Sequence, residues 1–169
     1  MIKIAVAGEK PQIVDGVKEG FESIFINEEV KVSFFQLNAQ KKRELVEGEV
    51  FKAAENKMSN LKKIIKEKAV TEDFDYFTVI QDGLFSKGGK FFYEIIASIE
   101  YMYVRKTKML GISSGLMIHD SENKLLYILN NKFTNAVSDA DLKVITKLNF
   151  SYNTLAKQAV QMALSAYNW

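Results

Sequence analysis

Ile2-Lys3-Ile4-Ala5-Val6-Ala7-Gly8, with Glu9-Lys10-Pro11 behind it, reads as a buried strand running into the start of a helix. From Ile4 to Ala7 the run is short and apolar, as in a buried strand. Pro11 suits the first turn of a helix, where its missing N–H is no loss. Ile13, Val14, Val17, Phe21 and Phe25 then recur on one helical stripe, which predicts an amphipathic helix over residues 11–25. Strand, tight loop and helix N-terminus together make a place where backbone N–H groups and the positive end of the helix dipole receive an anion. Lys10 falls in the capping slot of that helix, where lysine is a poor cap and the dipole repels its charge. A phosphate at the loop relieves that conflict; a lysine simply solvated on the loop is the plain alternative.

Outward from this unit the pattern is mixed α/β. Val30-Lys31-Val32-Ser33-Phe34 alternates and predicts a strand. Val50, Ala54, Met58, Leu61 and Ile65 keep helical spacing through a lysine-rich stretch, predicting a long helix near residues 47–68. Residues 74–81 form a second apolar strand. Gly88-Gly89 reads as a hairpin turn between residues 84–86 and the long run 91–104, and residues 109–113 add another strand. Short helices are expected at residues 124–130 and, behind a capping box of Ser138 and Asp141, at 139–148. Ser151 caps a last helix carrying Leu155, Ala159, Val160, Ala163 and Leu164. With a single proline and no low-complexity tract, no linker announces itself, and residues 1–169 are expected to form one domain.

Composition excludes several classes of function. A chain of 169 residues with 47% hydrophobic content can bury a sizeable core. Lys+Arg 23 against Asp+Glu 21 is too balanced for a broad nucleic-acid footprint. The absence of cysteine rules out disulfides and thiol catalysis, and the single histidine, His119, rules out a multi-histidine metal site. No apolar run approaches the roughly 20 residues of a membrane span, and residues 1–10 lack a signal-peptide pattern. A soluble cytoplasmic protein is the expectation. His119 beside Asp120 suggests a general-base pair on thin grounds, and Ser113-Ser114-Gly115 lacks the context of a nucleophile elbow. The aromatics Phe91-Phe92-Tyr93, Tyr101 and Tyr103 suit strand packing better than base stacking.

The order of elements and several strings resemble the inosine/xanthosine triphosphatase family, enzymes that remove aberrant purine nucleoside triphosphates. The resemblance runs from the opening unit with Pro11 and Phe21 through Glu49, Ala54 and Asn56 to Asp73, Phe74-Asp75-Tyr76-Phe77, Ile80 and Gly83. Ser113-Ser114-Gly115-Leu116, Gln158-Ala159-Val160 and Ala163-Leu164 complete it, and it is weakest between Ile118 and Leu148. It implies a mixed, curved central sheet with flanking helices in a two-lobed architecture related to the Maf-like hydrolases. It further implies a purine nucleoside triphosphate substrate, a Mg2+ or Mn2+ ion and a homodimer. By that resemblance Gly8, Glu9, Lys10, Asn56 and Phe74 bind the nucleotide, Asp73 and Glu49 are catalytic, and Asp73 and Asn38 hold the metal. A triphosphate needs this chemistry: carboxylates for a hard cation and donors for phosphate oxygens.

The chain departs from the family pattern at telling places. An Asn before the loop proline is Lys10 here, and a Lys after it is Ile13. A metal-binding Glu after the second strand falls on Asn38, the Glu-Thr pair becomes Glu49-Val50, and a Glu before the third-strand glycine becomes Gln81, with Asp82 beside it. The basic, glycine-rich segment before the last helix has no counterpart in residues 138–152. Amides in place of carboxylates remove charge from a cation site. Asp75 and Asp82 lie seven residues apart, so on a regular strand they point to opposite faces, and Asp82-Gly83 reads as a turn pair. Two readings follow: a working nucleoside triphosphatase using Asp73 with Glu49 or Asp82, or a protein that kept the fold and now binds a nucleotide or a protein partner without hydrolysis.

Overall fold

Strand β1 (Ile2–Gly8) lies in the middle of the sheet, and its burial explains its composition. The computed structural model describes residues 1–8, 11–37, 47–68, 72–103, 107–117 and 151–165. Ile4 and Val6 of β1 turn to one face and Ala5 and Ala7 to the other, and all four are fully buried. A strand covered on both sides has no polar face to show, hence the apolar run from Ile4 to Ala7, with Lys3 in the half-buried start of the strand. Helix α1 (Ile13–Glu22) packs Ile13, Val17 and Phe21 on the Ile4–Val6 face. Burial of each such side chain stabilises the fold by about 1.5–3 kcal/mol. Strand β2 (Val30–Gln36) returns parallel to β1, pairing Ile2 with Val30 and Gly8 with Gln36.

Helix α2 (Glu47–Glu67) crosses to the opposite face, where Ala54, Met58 and Leu61 meet Ala5 and Ala7. Strand β3 (Tyr76–Lys87) then joins the other edge of β1, also parallel, with Ile4 opposite Tyr76 and Ala7 opposite Val79. Strand β4 (Lys90–Tyr101) follows antiparallel through Gly88 and Gly89, with φ of 58° and 73°. Two consecutive left-handed residues are what the tightest hairpin turn needs, and glycine takes them without strain. Strand β5 (Lys108–Ile112) pairs with β4 on its far side, β6 (Leu116–Met117) pairs with β4 near the hairpin, and helix α3 (Tyr152–Ser165) covers the α1 face. The result is a six-stranded mixed sheet in the order β2-β1-β3-β4-β5, with β6 also on β4 and helices on both faces. The fold is mixed α/β.

Several boundaries differ from the sequence reading. The first helix begins at Ile13, and its N-cap is Gln12, which makes no side-chain capping bond. The conflict ascribed to Lys10 as a cap therefore falls away, because the cap lies two positions later. Asp82-Gly83 is no turn: β3 runs straight through it, with Asp82 opposite Ile95 and Gly83 opposite Glu94. The long β4 partner supplies hydrogen bonds that local turn propensity competes against, and the ladder wins. Ser151 does cap α3, its Oγ accepting from Thr154 N at 3.1 Å. Glu9, Lys10, Asn38, His119, Asp120 and the helices expected at 124–130 and 139–148 lie outside the described residues. Among the described residues no helix is long and apolar enough to cross a membrane.

Candidate functional site

The chain leaves β1 by α1 on one face to reach β2, then returns by α2 on the other face to β3, on the opposite side of β1. At such a reversal the two connections diverge, and open α/β sheets form their ligand crevice at that point, here beyond the carboxyl end of β1 and beside β3. Gly8 ends β1 here, and any Cβ on it would strike the Ile13 side chain of α1. The last β1–β3 pair is Ala7 with Val79, so Ile80, Gln81 and Asp82 extend past it along the crevice.

Three polar side chains are buried at this point. Lys57 of α2 is only 6% exposed, and its Nζ donates to the Ile80 carbonyl at 3.5 Å. Gln81 faces α2, and its Nε2 donates to the Asp82 carbonyl at 2.7 Å. Asp82 faces the α1–α3 side, where the Tyr93 hydroxyl donates to its Oδ2 at 3.1 Å. A fourth group, Glu94, stands opposite Gly83 and is buried against Lys87, 2.8 Å away. Gly83 itself is in contact with α2: a Cβ there would stand 2.5 Å from Val50 Cγ2. Burying a lysine and carboxyls at one end of a sheet is expensive unless they are partnered, and each of these is.

The residues expected from the sequence divide between the two ends of the sheet. Gly8 lies at the crevice, and Glu49, exposed at the start of α2, adjoins Val50 on Gly83. Asn56 points to solvent, while its neighbour Lys57 points inward. Asp73 and Phe74 lie at the other end. Lys3 N donates to Asp75 Oδ2 at 2.7 Å and Asp75 N donates to the Lys3 carbonyl, so residues 73–75 flank the start of β1. From Lys3 to Gly8 is about 17 Å at the rise of a β-strand. Phe74 is core, edge-on to Phe35 and Phe77. Partial desolvation, then the charges of Asp75 and Asp73, push the Tyr103 phenol above its ordinary range, which places those acids beside an exposed tyrosine and not beside Gly8. Asp73 and Glu49 therefore do not form one site. Among the described residues no group of three or more Asp, Glu or His could hold a metal ion, and Asn38, the expected partner of Asp73, lies outside them.

Sequence reading passed over Lys57, although a signal was there. Ala53, Ala54, Lys57, Met58 and Leu61 occupy one helical stripe, and a lysine inside an apolar stripe points at something polar in the core. A separate cavity of about 460 Å³ lies between the end of β5 and α3, lined by Ile112, Ser113, Ser114, Gln158, Gln161 and Met162. Its lining carries no charged side chain, which makes it a poor receptor for phosphate.

The fold is an open mixed α/β sheet whose strand order reverses at β1. No protein-family model matches the chain, and no curated protein matches it. Among solved structures the chain is similar to the crystal structure of protein VC0702 from Vibrio cholerae, at 20% identity and a TM-score of 0.68, covering 98% of this chain and 94% of that one. At that identity the likeness establishes the shared fold alone.

Proposed function

We propose that the chain binds the phosphate chain of a purine nucleoside triphosphate in the β1–β3 crevice and hydrolyses it, as the inosine/xanthosine triphosphatases it resembles do. The observation that carries this reading is the buried Lys57 ammonium at the Ile80 carbonyl, one residue past the last β1–β3 pair. A lysine there supplies a point charge for phosphate oxygens. The first turn of α1, uncapped by Gln12, supplies N–H groups and the positive end of a dipole. In this reading Asp82, on the α1 face of β3, accepts the proton of an attacking water while the new P–O bond forms and the bridging P–O bond breaks. Magnesium or manganese belongs to the resemblance; Asp73 does not fit that role at the far end of β1. The resemblance also implies a cytoplasmic homodimer.

The test is release of phosphate or pyrophosphate from inosine, xanthosine, guanosine and adenosine triphosphates, with and without divalent cation, beside calorimetric binding of a non-hydrolysable analogue. Neither release nor binding overturns the proposal. A second reading, binding without hydrolysis, is favoured by Gln81, whose carboxamide is tied to the Asp82 carbonyl where the family pattern has a carboxylate. Binding with no release of either product selects it. Light scattering of the eluted protein reads the oligomeric state.

A further inference from the structure

Tyr93 is among the largest fully buried side chains, at 1% exposure, and its hydroxyl ends on Asp82 Oδ2. The two belong to different strands, since Asp82 pairs with Ile95 and Tyr93 stands two residues further along β4. They are diagonal neighbours on one face of the sheet. On its other side Tyr93 pairs with Leu116 of β6, so the ring is held from both flanks. A phenylalanine would fill that apolar slot equally well; the hydroxyl has only polar work to do there. A carboxyl whose one oxygen is bonded to a fixed phenol cannot rotate without breaking that bond.

We infer that Tyr93 is a positioning residue, which holds the Asp82 carboxyl in the orientation needed to take a proton from the attacking water. The inference rests on the proposed hydrolysis. Tyr93 does not meet the nucleotide; it acts through Asp82, and its own strand is paired on the other side with β6.

The experiment is a double-mutant cycle of Tyr93→Phe and Asp82→Asn in the full chain, read as kcat and KM with the most rapidly hydrolysed triphosphate, beside analogue affinity and melting temperature. Tyr93→Phe is expected to lower kcat by about tenfold or more, the effect of losing one hydrogen bond to a charged group. KM and analogue affinity are expected to stay unchanged. In the Asp82→Asn background the same change is expected to cost nothing further, because its target is gone. A Tyr93→Phe enzyme with the wild-type kcat overturns the inference and leaves the hydrolase reading standing. A loss that multiplies undiminished on the Asp82→Asn background, with a fallen melting temperature, also overturns it, as a packing effect. Wild-type protein that binds without turnover overturns the inference and selects the second reading; protein that does neither removes both.

Discussion

Lys57→Met separates a structural lysine from a ligand-binding one, because the two roles predict opposite signs. Methionine keeps the length and most of the apolar stem of lysine, so the contacts of α2 with Met58 and Leu61 on either side are undisturbed. What is lost is the ammonium, whose contacts include a long 3.5 Å bond to the Ile80 carbonyl. Taking the charge out of the core removes its desolvation cost, and replacement of buried charges by well-packed apolar groups is often neutral or stabilising by about 1–4 kcal/mol. Melting temperature is therefore expected to hold or rise. Affinity for a triphosphate moves the other way: a hydrogen bond to a charged group contributes about 1.5–3 kcal/mol, a loss of roughly 10- to 150-fold. Thermal denaturation and calorimetric titration with a non-hydrolysable analogue read both quantities on the same sample. A variant that melts several degrees lower yet binds the analogue as tightly as wild type refutes the reasoning, since Lys57 would then hold the fold and nothing else.

Asp73→Asn is expected to leave hydrolysis and analogue affinity unchanged, because residues 73–75 flank Lys3 at the end of β1 remote from Gly8; steady-state kinetics read it, and a large fall in kcat contradicts the placement. Gly83→Ala is expected to lower stability by about 1–3 kcal/mol through overpacking, since its Cβ would stand 2.5 Å and 2.9 Å from the Val50 methyls. Adding Val50→Ala should restore much of the loss, and denaturant melts of the single and double variants measure the coupling. Glu72 is held below the usual carboxylate range by the hydrogen bond from Lys31, 2.6 Å away, then by the Lys31 charge. A depressed folded-state value means that the contact stabilises above the ordinary glutamate range and is lost as pH falls through the folded-state value. Glu72→Gln should flatten the melting temperature between about pH 5 and 3 relative to wild type; identical acid profiles exclude the contact as a contributor.

The elements legible in the sequence were those where a local pattern and the tertiary environment ask for the same residues. β1 is one, because a strand buried on both faces has to be apolar where it is covered, here Ile4–Ala7. The Gly88-Gly89 turn is another, because its φ values exclude most other residues. β3 misled at Asp82-Gly83, where a turn-forming pair sits inside a strand for reasons located elsewhere in the chain. Tyr93, eleven residues away, bonds the aspartate, and Val50, on α2, leaves no room beside the glycine. Neither cause has a local signature, so the pair could only look like a turn.

The candidate site was hidden by direction more than by chemistry. Asp73 precedes β3 and Gly8 ends β1, and near-matching motifs at both positions invite a single cleft. Once β1 and β3 are parallel, a residue before one strand and a residue after the other must lie at opposite ends of the sheet. The groups nearest to Gly8 on β3 are those just past its last pair with β1, and these include Gln81 and Asp82. Lys57 and not Asn56 joins that group: α2 runs back along the sheet, and only the residue on its apolar stripe reaches β3, at the Ile80 carbonyl. Strand direction, which a βαβ connection enforces through its handedness, therefore carries more information about a shared site than any residue-by-residue match to a family pattern.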